Sequence, residues 1–400
     1  MRDLTASQRK IIGSERHIWP NELAFAEAIY AERLELIQQD ILARGLSVVI
    51  LFDPENMYWL TGYQTIGYFT FQAMCIPASG KPVIVTRVVN RDMALALPTI
   101  GNAISVFDTQ DHVDILEAYL KDTVPTGQIG IDTTSRYLNI CDYTRLVDRL
   151  GGRFKPFINV IEAHRMVKTS FELDRMRAAA SAVKAGIDAA LKMIAIGKTD
   201  NDLAAALYQG SIAAGSEYIG HPPMVVTGPR SELCFALWKR NTIEKGDVVL
   251  LEGAGCVDRY HAMMSRSAVV GKATDEHKAT ADALVEILET AVDTIKPGVT
   301  AGEVDFACRQ KVEKRGLGQY FKSRTAYGIG IGFPPNWAEG HIYSLRPNDP
   351  MVLQPNMTFH VIPTMFRTGF GMAISDSVRV TEDGCEVLTN YPRDLMEIDA

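Results

Sequence analysis

The first regular pattern in the chain is an apolar repeat at helical spacing between Glu22 and Gly45. Gly45 stands where a helix C-terminal cap is expected, so the repeat predicts a helix that ends there. An apolar, β-branched run follows at 47–53, and two further apolar stretches flank an Ala-Ser-Gly turn within 73–86. These stretches predict a strand and then a β-hairpin. Similar alternation continues to about residue 160, which is typical of a small α/β domain.

The pattern changes near residue 165, where a Lys-Thr-Ser break precedes a long amphipathic stretch. Thr169 or Ser170 is a candidate N-cap for this helix, and Glu172 lies in its first turn, where a negative charge favours the helix dipole. We therefore predict two domains, 1–165 and 166–400, the second with helices outside a curved antiparallel sheet. Further patterns predict helices within 201–215 and 277–295, and strands within 248–255, 265–271, 357–363 and 376–384.

Length and composition limit the possible locations and partners. A chain of 400 residues exceeds one compact core, which agrees with two domains. No apolar run approaches the roughly 18 residues that span a bilayer. The charged segment 1–22 lacks the apolar stretch of a secretory signal. We therefore expect no membrane partner and a cytoplasmic location.

The charge and the cysteines exclude two further classes. A net charge of −7 and a pI near 5.7, without a basic stripe, exclude nucleic acid as the main partner. The six cysteines form no CxxC pair, which argues against a disulfide framework and against a thiolate zinc site. A small-molecule substrate is the remaining expectation.

Several local patterns occur in the order typical of the creatinase, prolidase and aminopeptidase P group, the pita-bread family. The N-terminal segment PENMYWLTGY also resembles the start of creatinase-like N-terminal domains. The resemblance implies an α+β chain in which a smaller α/β creatinase-type N-terminal domain precedes a C-terminal pita-bread (creatinase/aminopeptidase) domain. The patterns span about 165–385 and are RMVKTSFELDRMRAA, EKGDVVLLEGAG, RYHAMMSRSAVVGKA, IKPGVTAGEV, YGIGIGFPP, LQPNMTFHVIP and ISDSVRVTEDG.

In the metallopeptidase branch of this family, the resemblance implies a cradle for two divalent metals, held by two aspartates, one histidine and two glutamates. Carried over residue by residue, the five positions fall on Glu252, Met263, Tyr327, Ile362 and Ser375. Only one of these five residues is a carboxylate, and one carboxylate supplies little affinity for hard cations. We therefore expect a metal-independent protein without a cofactor.

Within the metal-free branch, the chain most resembles ectoine hydrolase-like proteins. The likeness rests on Glu252, on the Tyr260-His261 pair, and on the segments SRTAYGIG, FPPNW and FHVIP. Two positions depart from the expected pattern. Phe235 stands where both creatinase and ectoine hydrolases have a histidine, and Ala373 stands where an acidic residue is expected.

Glu252 is the leading catalytic candidate. It ends the apolar run VVLL, so its carboxyl would leave a buried strand and enter a cleft. Desolvation raises the pKa of such a group and suits a nucleophile or a general base. A salt-bridged glutamate at a strand end is the alternative. Backbone N–H groups around Gly253 to Gly255 are candidates for stabilising an oxyanion.

Three other residues are candidates for catalysis. His360 alternates with apolar neighbours on a predicted strand, so it would face the side of the sheet opposite to them, where the site is expected. His360 or His261 would move a proton, and a hydrogen-bonded core histidine is the alternative for both. Asp376 would hold positive charge, or it would cap a turn or pair with Arg379.

The substrate-binding candidates are six ring side chains: His221, Tyr260, Tyr327, Trp337, Tyr68 and Phe69. Trp337 follows Phe-Pro-Pro, a rigid wall suited to a cation–π contact, with ordinary packing as the alternative. Tyr68 and Phe69 belong to an aromatic cluster that resembles the segment which in creatinase reaches the active site of the partner subunit. The resemblance thus implies a homodimer, and a place in the N-domain core is the alternative.

These residues favour a metal-independent hydrolase that cleaves a non-peptide C–N bond in a small zwitterionic amidine, guanidino or cyclic amide compound. A metal-dependent Xaa-Pro peptidase or prolidase is one alternative. A non-catalytic relative that binds a metabolite is another, because Phe235 and Ile362 replace two catalytic groups of the family.

Overall fold

The computed structural model describes residues 22–399. The chain divides into two compact units, the first ending at His164 and the second beginning at Arg165. Helix α6 (Val160–Met166) contains this boundary. In the described range, none of the helices combines the length and the apolar character required to cross a membrane.

The first unit is built on a six-stranded mixed sheet with the strand order β4-β3-β2-β1-β5-β6. Apolar side chains of its strands and of two helices form its core. Its elements are α1 (Glu27–Ala43), β1 (Leu46–Leu51), α2 (Pro54–Thr61), β2 (Gln72–Pro77), β3 (Val83–Arg87), α3 (Arg91–Leu95), β4 (Asn102–Val106), α4 (His112–Thr123), β5 (Gln128–Ile131), α5 (Ile140–Leu150) and β6 (Phe154–Pro156).

The predicted first helix and the predicted hairpin of this unit are both confirmed. Gly45 has a φ of 66° directly after α1, in the left-handed region that glycine adopts without a steric penalty. Strands β2 and β3 form the predicted antiparallel hairpin around the Ala-Ser-Gly turn.

The second unit contains a ten-stranded sheet whose main path is β17-β16-β13-β10-β9-β8-β7. All its pairings are antiparallel except that of β18 with β9. Its elements are α7 (Ser170–Met193), α8 (Asp200–Ala213), β7 (Met224–Thr227), β8 (Val248–Val257), β9 (Tyr260–Val270), α9 (Asp275–Thr294), α10 (Ala301–Lys314), β10 (Ala326–Phe333), β11 (Asn336–Ala338), β12 (Ser344–Leu345), β13 (Thr358–Val361), β14 (Thr364–Arg367), β15 (Phe370–Ala373), β16 (Asp376–Val380), β17 (Cys385–Val387) and β18 (Met396–Ile398).

The long helices of this unit start where their sequences predict. Thr169 caps α7 through a capping box, in which its side chain accepts from the Glu172 N–H and the Glu172 carboxylate accepts from the Thr169 N–H. Threonines also cap α8, α9 and α10 in the same way. Helix starts are therefore encoded locally, by a threonine followed three residues later by a side chain that can accept a hydrogen bond.

Alternation along β8 decides which side chains face the site. Val249 and Leu251 pack with α7 and α8 in one hydrophobic cluster. Leu250 and Glu252, on the other face of the same strand, line a cavity. The sheet therefore carries helices on one face and the candidate site on the other.

The glycines after Glu252 allow close packing of α7 on this sheet. A Cβ on Gly255 would lie 2.0 Å from the carbonyl oxygen of Ala179. The backbones of Gly253 and Gly255 belong to the ladder between β8 and β9. The structure thus gives these glycines a packing role, in place of the expected oxyanion site.

Candidate functional site

The candidate site is a cavity of about 240 Å³ in the second unit, on the sheet face opposite the helices. This volume lies below the roughly 300 Å³ at which pockets for drug-sized ligands begin, so a small ligand fits it best. The lining side chains used below are Glu252 at one wall, His221, Phe235, Tyr327 and Trp337 as ring groups, and Ser323, Arg324 and Ile362.

Glu252 supplies the one carboxyl group among the lining residues. Its side chain is buried, with 4% of the residue exposed. Desolvation raises the pKa of Glu252 to about 8. The Ser265 side chain, directly opposite on β9, partly opposes this shift and lowers the pKa of Glu252. The Glu252 carboxyl is therefore buried without a charged partner among residues 22–399.

A hydrogen-bonded chain of side chains leads from the cavity wall into the sheet. Tyr327 lines the cavity, and its hydroxyl lies 2.7 Å from Nδ1 of His360. Nε2 of His360 lies 2.7 Å from the Ser375 hydroxyl. The Ser375 oxygen also accepts the Ser265 backbone N–H at 2.7 Å. His360 thus lies behind Tyr327 and does not line the cavity itself.

His360 is held in its neutral form. The residue is fully buried, and desolvation together with the positive charge of Arg266 lowers its pKa to about 3. A neutral imidazole carries one N–H and one bare nitrogen, so one ring nitrogen of His360 donates while the other accepts. The hydroxyls of Tyr327 and Ser375 fit either tautomer, because each can donate or accept.

Trp337 and His221 form an aromatic corner of the cavity. Their ring centroids lie 3.4 Å apart, and Nε1 of Trp337 donates to the Tyr327 hydroxyl at 3.2 Å. The pKa of His221 is lowered by desolvation. In neutral His221, donation from Nδ1 to the Pro222 carbonyl oxygen at 2.7 Å leaves Nε2 as an acceptor. These rings give one side of the cavity an apolar face with a few polar edges.

Phe235 lies in the loop between β7 and β8, at the cavity wall. Its side chain is 75% exposed, and its backbone has a φ of 62°, which is unusual for a bulky residue. The aromatic ring that replaces the family histidine therefore borders the cavity, and solvent also reaches it.

Three of the five positions that the family resemblance implies as metal ligands line this cavity, and the five side chains do not fit a pair of divalent cations. Glu252, Tyr327 and Ile362 line it, and Ser375 binds His360. The backbone N–H of Met263 donates to the Ser377 hydroxyl. A thioether, a phenol, an alkyl group and a hydroxyl replace four of the five strong donors. Within 22–399, no three His, Cys, Asp or Glu side chains are grouped to bind a metal ion.

His261 does not reach the cavity, contrary to its expected catalytic role. Its Nδ1 donates to the Arg259 carbonyl oxygen at 2.9 Å, and its Nε2 accepts the Gly220 N–H at 3.0 Å. Burial keeps its pKa well below the usual value. Both nitrogens are used within the fold, so His261 anchors the loop that precedes His221.

Asp376 is also occupied within the fold. Its Oδ1 accepts from Arg266 at 2.9 Å and from Thr389 at 3.0 Å, and its Oδ2 accepts from Arg393 at 2.9 Å. Its cross-strand neighbour, Val361, belongs to the helix-side core. The predicted contact of Asp376 with substrate is therefore wrong for this arrangement, because the side chain points away from the cavity. Arg379, the predicted alternative partner, pairs with Glu386.

Tyr260 faces the helix side of the sheet as well. Its hydroxyl donates to Oε1 of Glu172 at 2.7 Å, in the first turn of α7. The expected substrate contact is replaced by a hydrogen bond that links β9 to the capping box of that helix.

Tyr68 and Phe69 belong to a short 3₁₀ turn of the first unit. Tyr68 is buried and packs edge-on against Tyr137, with ring centroids 5.7 Å apart. Phe69 is 78% exposed. Their contact with a partner's site, the homodimer and the cytoplasmic location stay predictions.

Ser323 and Arg324 are among the lining residues that sequence reasoning missed. Both lie within the SRTAYGIG segment, three to four residues before Tyr327. The sequence does carry a signal for them, because a polar pair directly before a strand of small and apolar residues lies at the end of that strand, where side chains can reach a site on the sheet.

Two family profiles cover most of the chain. Residues 174–382 match Metallopeptidase family M24, and residues 33–167 match the Creatinase/Prolidase N-terminal domain. Among similar proteins, ectoine hydrolase of Halomonas elongata is 29% identical over 393 residues, covering 93% of this chain and 98% of that protein. Xaa-Pro dipeptidase of Pyrococcus furiosus is 24% identical over 372 residues, covering 91% and 99%.

Solved structures show the same fold. Dipeptidase PepE from Mycobacterium ulcerans aligns with a TM-score of 0.80 at 24% identity, covering 94% of this chain and all of that one. Prolidase from Thermococcus sibiricus aligns with a TM-score of 0.83 at 23% identity, covering 92% and 99%. The chain therefore belongs to the M24 family of hydrolases, with a creatinase/prolidase-type N-terminal domain and a C-terminal pita-bread domain.

Proposed function

We propose that this protein hydrolyses a non-peptide C–N bond in a small zwitterionic amidine, guanidino or cyclic amide compound, without a metal. The observation that carries this proposal is the environment of Glu252. A buried carboxyl with a pKa raised to about 8 and no cation beside it is a group prepared for a positively charged ligand. The likeness to ectoine hydrolase of Halomonas elongata supports the substrate class.

A cationic substrate changes the protonation state of Glu252. With a pKa of about 8, most of the free protein holds this carboxyl protonated at pH 7. An amidinium or guanidinium group in the cavity favours the carboxylate, because opposite charges at close range lower the pKa of the acid. The rings of Trp337 and Tyr327 line the same cavity, and aromatic rings attract a cation. The substrate therefore creates the active carboxylate when it binds.

Glu252 then acts as a general base or as a nucleophile. As a base it takes a proton from water, the water oxygen bonds to the amidine carbon, and the C–N bond breaks as its nitrogen receives a proton. As a nucleophile it forms the C–O bond itself, and water releases the product in a second step. In both routes the elements of one water molecule are added across the C–N bond.

Tyr327 is the proton donor to the leaving nitrogen in this proposal. When Nδ1 of His360 carries the hydrogen, it donates to the Tyr327 oxygen, and the Tyr327 proton points toward the ligand. As that proton leaves, the Nδ1–H of His360 keeps its hydrogen bond to the Tyr327 oxygen, and the Ser375 hydroxyl keeps its hydrogen bond to Nε2 without transferring its proton. The proton that Glu252 took from water then returns to the Tyr327 oxygen by way of solvent in the cavity.

Metal independence in this proposal rests on the four replaced ligand positions. Thioether, phenol, alkyl and hydroxyl side chains cannot neutralise two divalent cations. Elemental analysis of the purified protein should therefore find less than one equivalent of manganese, cobalt or zinc. Stoichiometric metal would support the second candidate, an Xaa-Pro dipeptidase, which is the function named for the relative from Pyrococcus furiosus.

The decisive experiment compares the wild type with Glu252→Gln in a turnover screen of ectoine, hydroxyectoine, creatine, related lactams and Xaa-Pro dipeptides. We expect one zwitterion to be hydrolysed, and the variant to lose at least about 10³-fold in kcat with an unchanged fold. Retained activity in the variant would refute the role of Glu252. A ligand that raises the melting temperature without being consumed would favour a non-catalytic binding protein.

A further inference from the structure

Arg324 places a second charged group on the cavity wall. Its Nη1 donates to the Gly340 carbonyl oxygen at 3.2 Å and to the Ser344 hydroxyl at 3.0 Å. Its Cζ lies 5.1 Å from the centre of the Tyr327 ring. These contacts fix the guanidinium against the wall, although none of them neutralises its charge.

Arg324 has no acidic partner in the described part of the chain. The pKa of Arg324 is lowered by partial desolvation and by the neighbouring positive charge of Arg346, and no carboxylate acts on it. Arg346, a nearby arginine that does not line the cavity, differs in this respect, because it pairs with Asp349 at 2.7 Å. A guanidinium that lines the cavity, still reaches solvent and has no counter-ion is available to an anionic ligand.

Ser323 adds an unused hydroxyl at the same place. It lines the cavity beside Arg324, and its buried oxygen has no hydrogen-bond partner among residues 22–399. A buried hydroxyl without a partner is uncommon, because its desolvation is then not compensated. Both the charge of Arg324 and the hydroxyl of Ser323 are thus available to one acceptor group.

The positive and negative groups of the cavity are separated. The Tyr327 hydroxyl interacts electrostatically with both Glu252 and Arg324. Glu252 and Arg324 do not act on each other in this way. All three residues line the same cavity, and the Arg324 guanidinium lies beside the Tyr327 ring, so the cavity offers one site for positive charge and one for negative charge. A zwitterion can occupy both sites with its scissile group beside Tyr327.

We propose that Arg324, assisted by the Ser323 hydroxyl, binds the carboxylate of the zwitterionic substrate and so selects amino-acid-like amidines over neutral or purely cationic ones. This inference rests on the proposed function for the position of the reacting group at Glu252. The guanidinium offers a planar fork of N–H groups that matches a carboxylate, which a lysine cannot reproduce.

The test measures binding as well as turnover. Calorimetry on the full chain compares ectoine with its carboxamide, and creatine with its carboxamide, for the wild type, Arg324→Gln and Arg324→Lys. Arg346→Gln is the matched control, because it removes the same charge nearby from a residue that does not line the cavity. The same proteins are assayed for kcat and KM with any probe that is hydrolysed.

We expect Arg324→Gln to weaken binding of at least one zwitterion by about 30-fold, as a lost charge-assisted hydrogen bond predicts. The affinity of Arg324→Gln for the matching carboxamide should change less than about threefold. The affinity of Arg324→Lys for the zwitterion should lie between those of the wild type and Arg324→Gln. Arg346→Gln should change the affinity for either ligand by no more than about threefold. In turnover, the loss should appear mainly in KM.

Three results would overturn the subsite: equal losses for the zwitterion and its carboxamide, wild-type protein that does not prefer the carboxylate, and failure of both zwitterions to bind. The two proposals can fail separately. Carboxylate-selective binding that depends on Arg324, without hydrolysis, rejects the proposed reaction and leaves the subsite standing. Hydrolysis that does not depend on Arg324 rejects the subsite alone.

Discussion

Asp376 and Glu252 are two buried carboxyl groups of the same sheet, and their surroundings differ in one respect. Each carboxylate oxygen of Asp376 accepts a hydrogen bond from an arginine: Oδ1 from Arg266 and Oδ2 from Arg393. Glu252 has no basic partner among residues 22–399, and burial raises its pKa to about 8. Burial alone does not distinguish a structural acid from a reactive one, because both residues are at most 4% exposed.

The comparison shows that the partners decide the role. The Asp376 carboxylate neutralises two arginines and so holds β16 to β9 and to the C-terminal segment. Its hydrogen bonds are all made within the fold. A buried carboxyl without a cationic partner is mostly protonated at pH 7, and a cation that binds beside it favours its charged form. Removing each group should therefore damage a different property of the protein.

The largest expected effect on stability follows Asp376→Asn. The substitution leaves the fully buried guanidinium of Arg266 without its counter-charge, which costs about 3–5 kcal/mol in comparable cases. Glu252→Gln, the matched buried substitution, replaces a group that is already mostly neutral at pH 7. Urea denaturation should show a large loss for the first variant and none for the second. Equal losses would show that Glu252 is also a structural acid.

Tyr327→Phe should give the next largest effect, on activity. The variant removes the hydroxyl between His360 and the cavity, so a proton no longer reaches the leaving nitrogen by that route. We expect kcat to fall about 10²- to 10³-fold. Tyr260→Phe is the control, because that hydroxyl binds Glu172 on the helix side.

The control variant tests the corrected place of Tyr260. It should lose about 1 kcal/mol of stability, or somewhat more because its acceptor is charged, with kcat unchanged. If Tyr260→Phe lowers kcat as much as Tyr327→Phe does, Tyr260 takes part in catalysis and its helix-side position is contradicted.

Local sequence signals predicted most of the fold. Helix α7 begins at Thr169 because a threonine followed by Glu172 satisfies its first N–H groups without help from distant residues. Strand alternation also placed Glu252 and His360 on the face opposite the helix-side core, since that choice depends only on the residues beside them.

The assignments that failed depended on contacts from distant parts of the chain. Asp376 stands near Arg379 in sequence, but it is neutralised by Arg266 and Arg393. Tyr260 meets Glu172, which lies 88 residues away. A single sequence does not specify such pairs, because many acids and bases could satisfy one another. The sequence also does not reveal that Arg324 lacks an acidic partner among residues 22–399, and its proposed role rests on that observation.

The pH dependence of stability isolates the charge state of Glu252. Its pKa is about 8 in the folded protein, against an ordinary value of 4.5. Between these values the folded state binds one proton more than the unfolded state, so the free energy of unfolding falls as pH rises through this window. From pH 6 to pH 7.5 the wild type should lose about 2 kcal/mol relative to Glu252→Gln, which has no proton to release.

Urea denaturation of both proteins at pH 6 and pH 7.5 measures this difference. Other shifted groups, such as Asp53 in the first unit with a pKa raised to about 7, are common to both proteins and cancel. Glu386→Gln is the control. Hydrogen bonding to Arg177 lowers the pKa of Glu386, so that group stays ionised across this range and its variant should run parallel to the wild type. Parallel curves for Glu252→Gln as well would mean that Glu252 is already a carboxylate in the free protein, and then substrate binding would not be needed to ionise it.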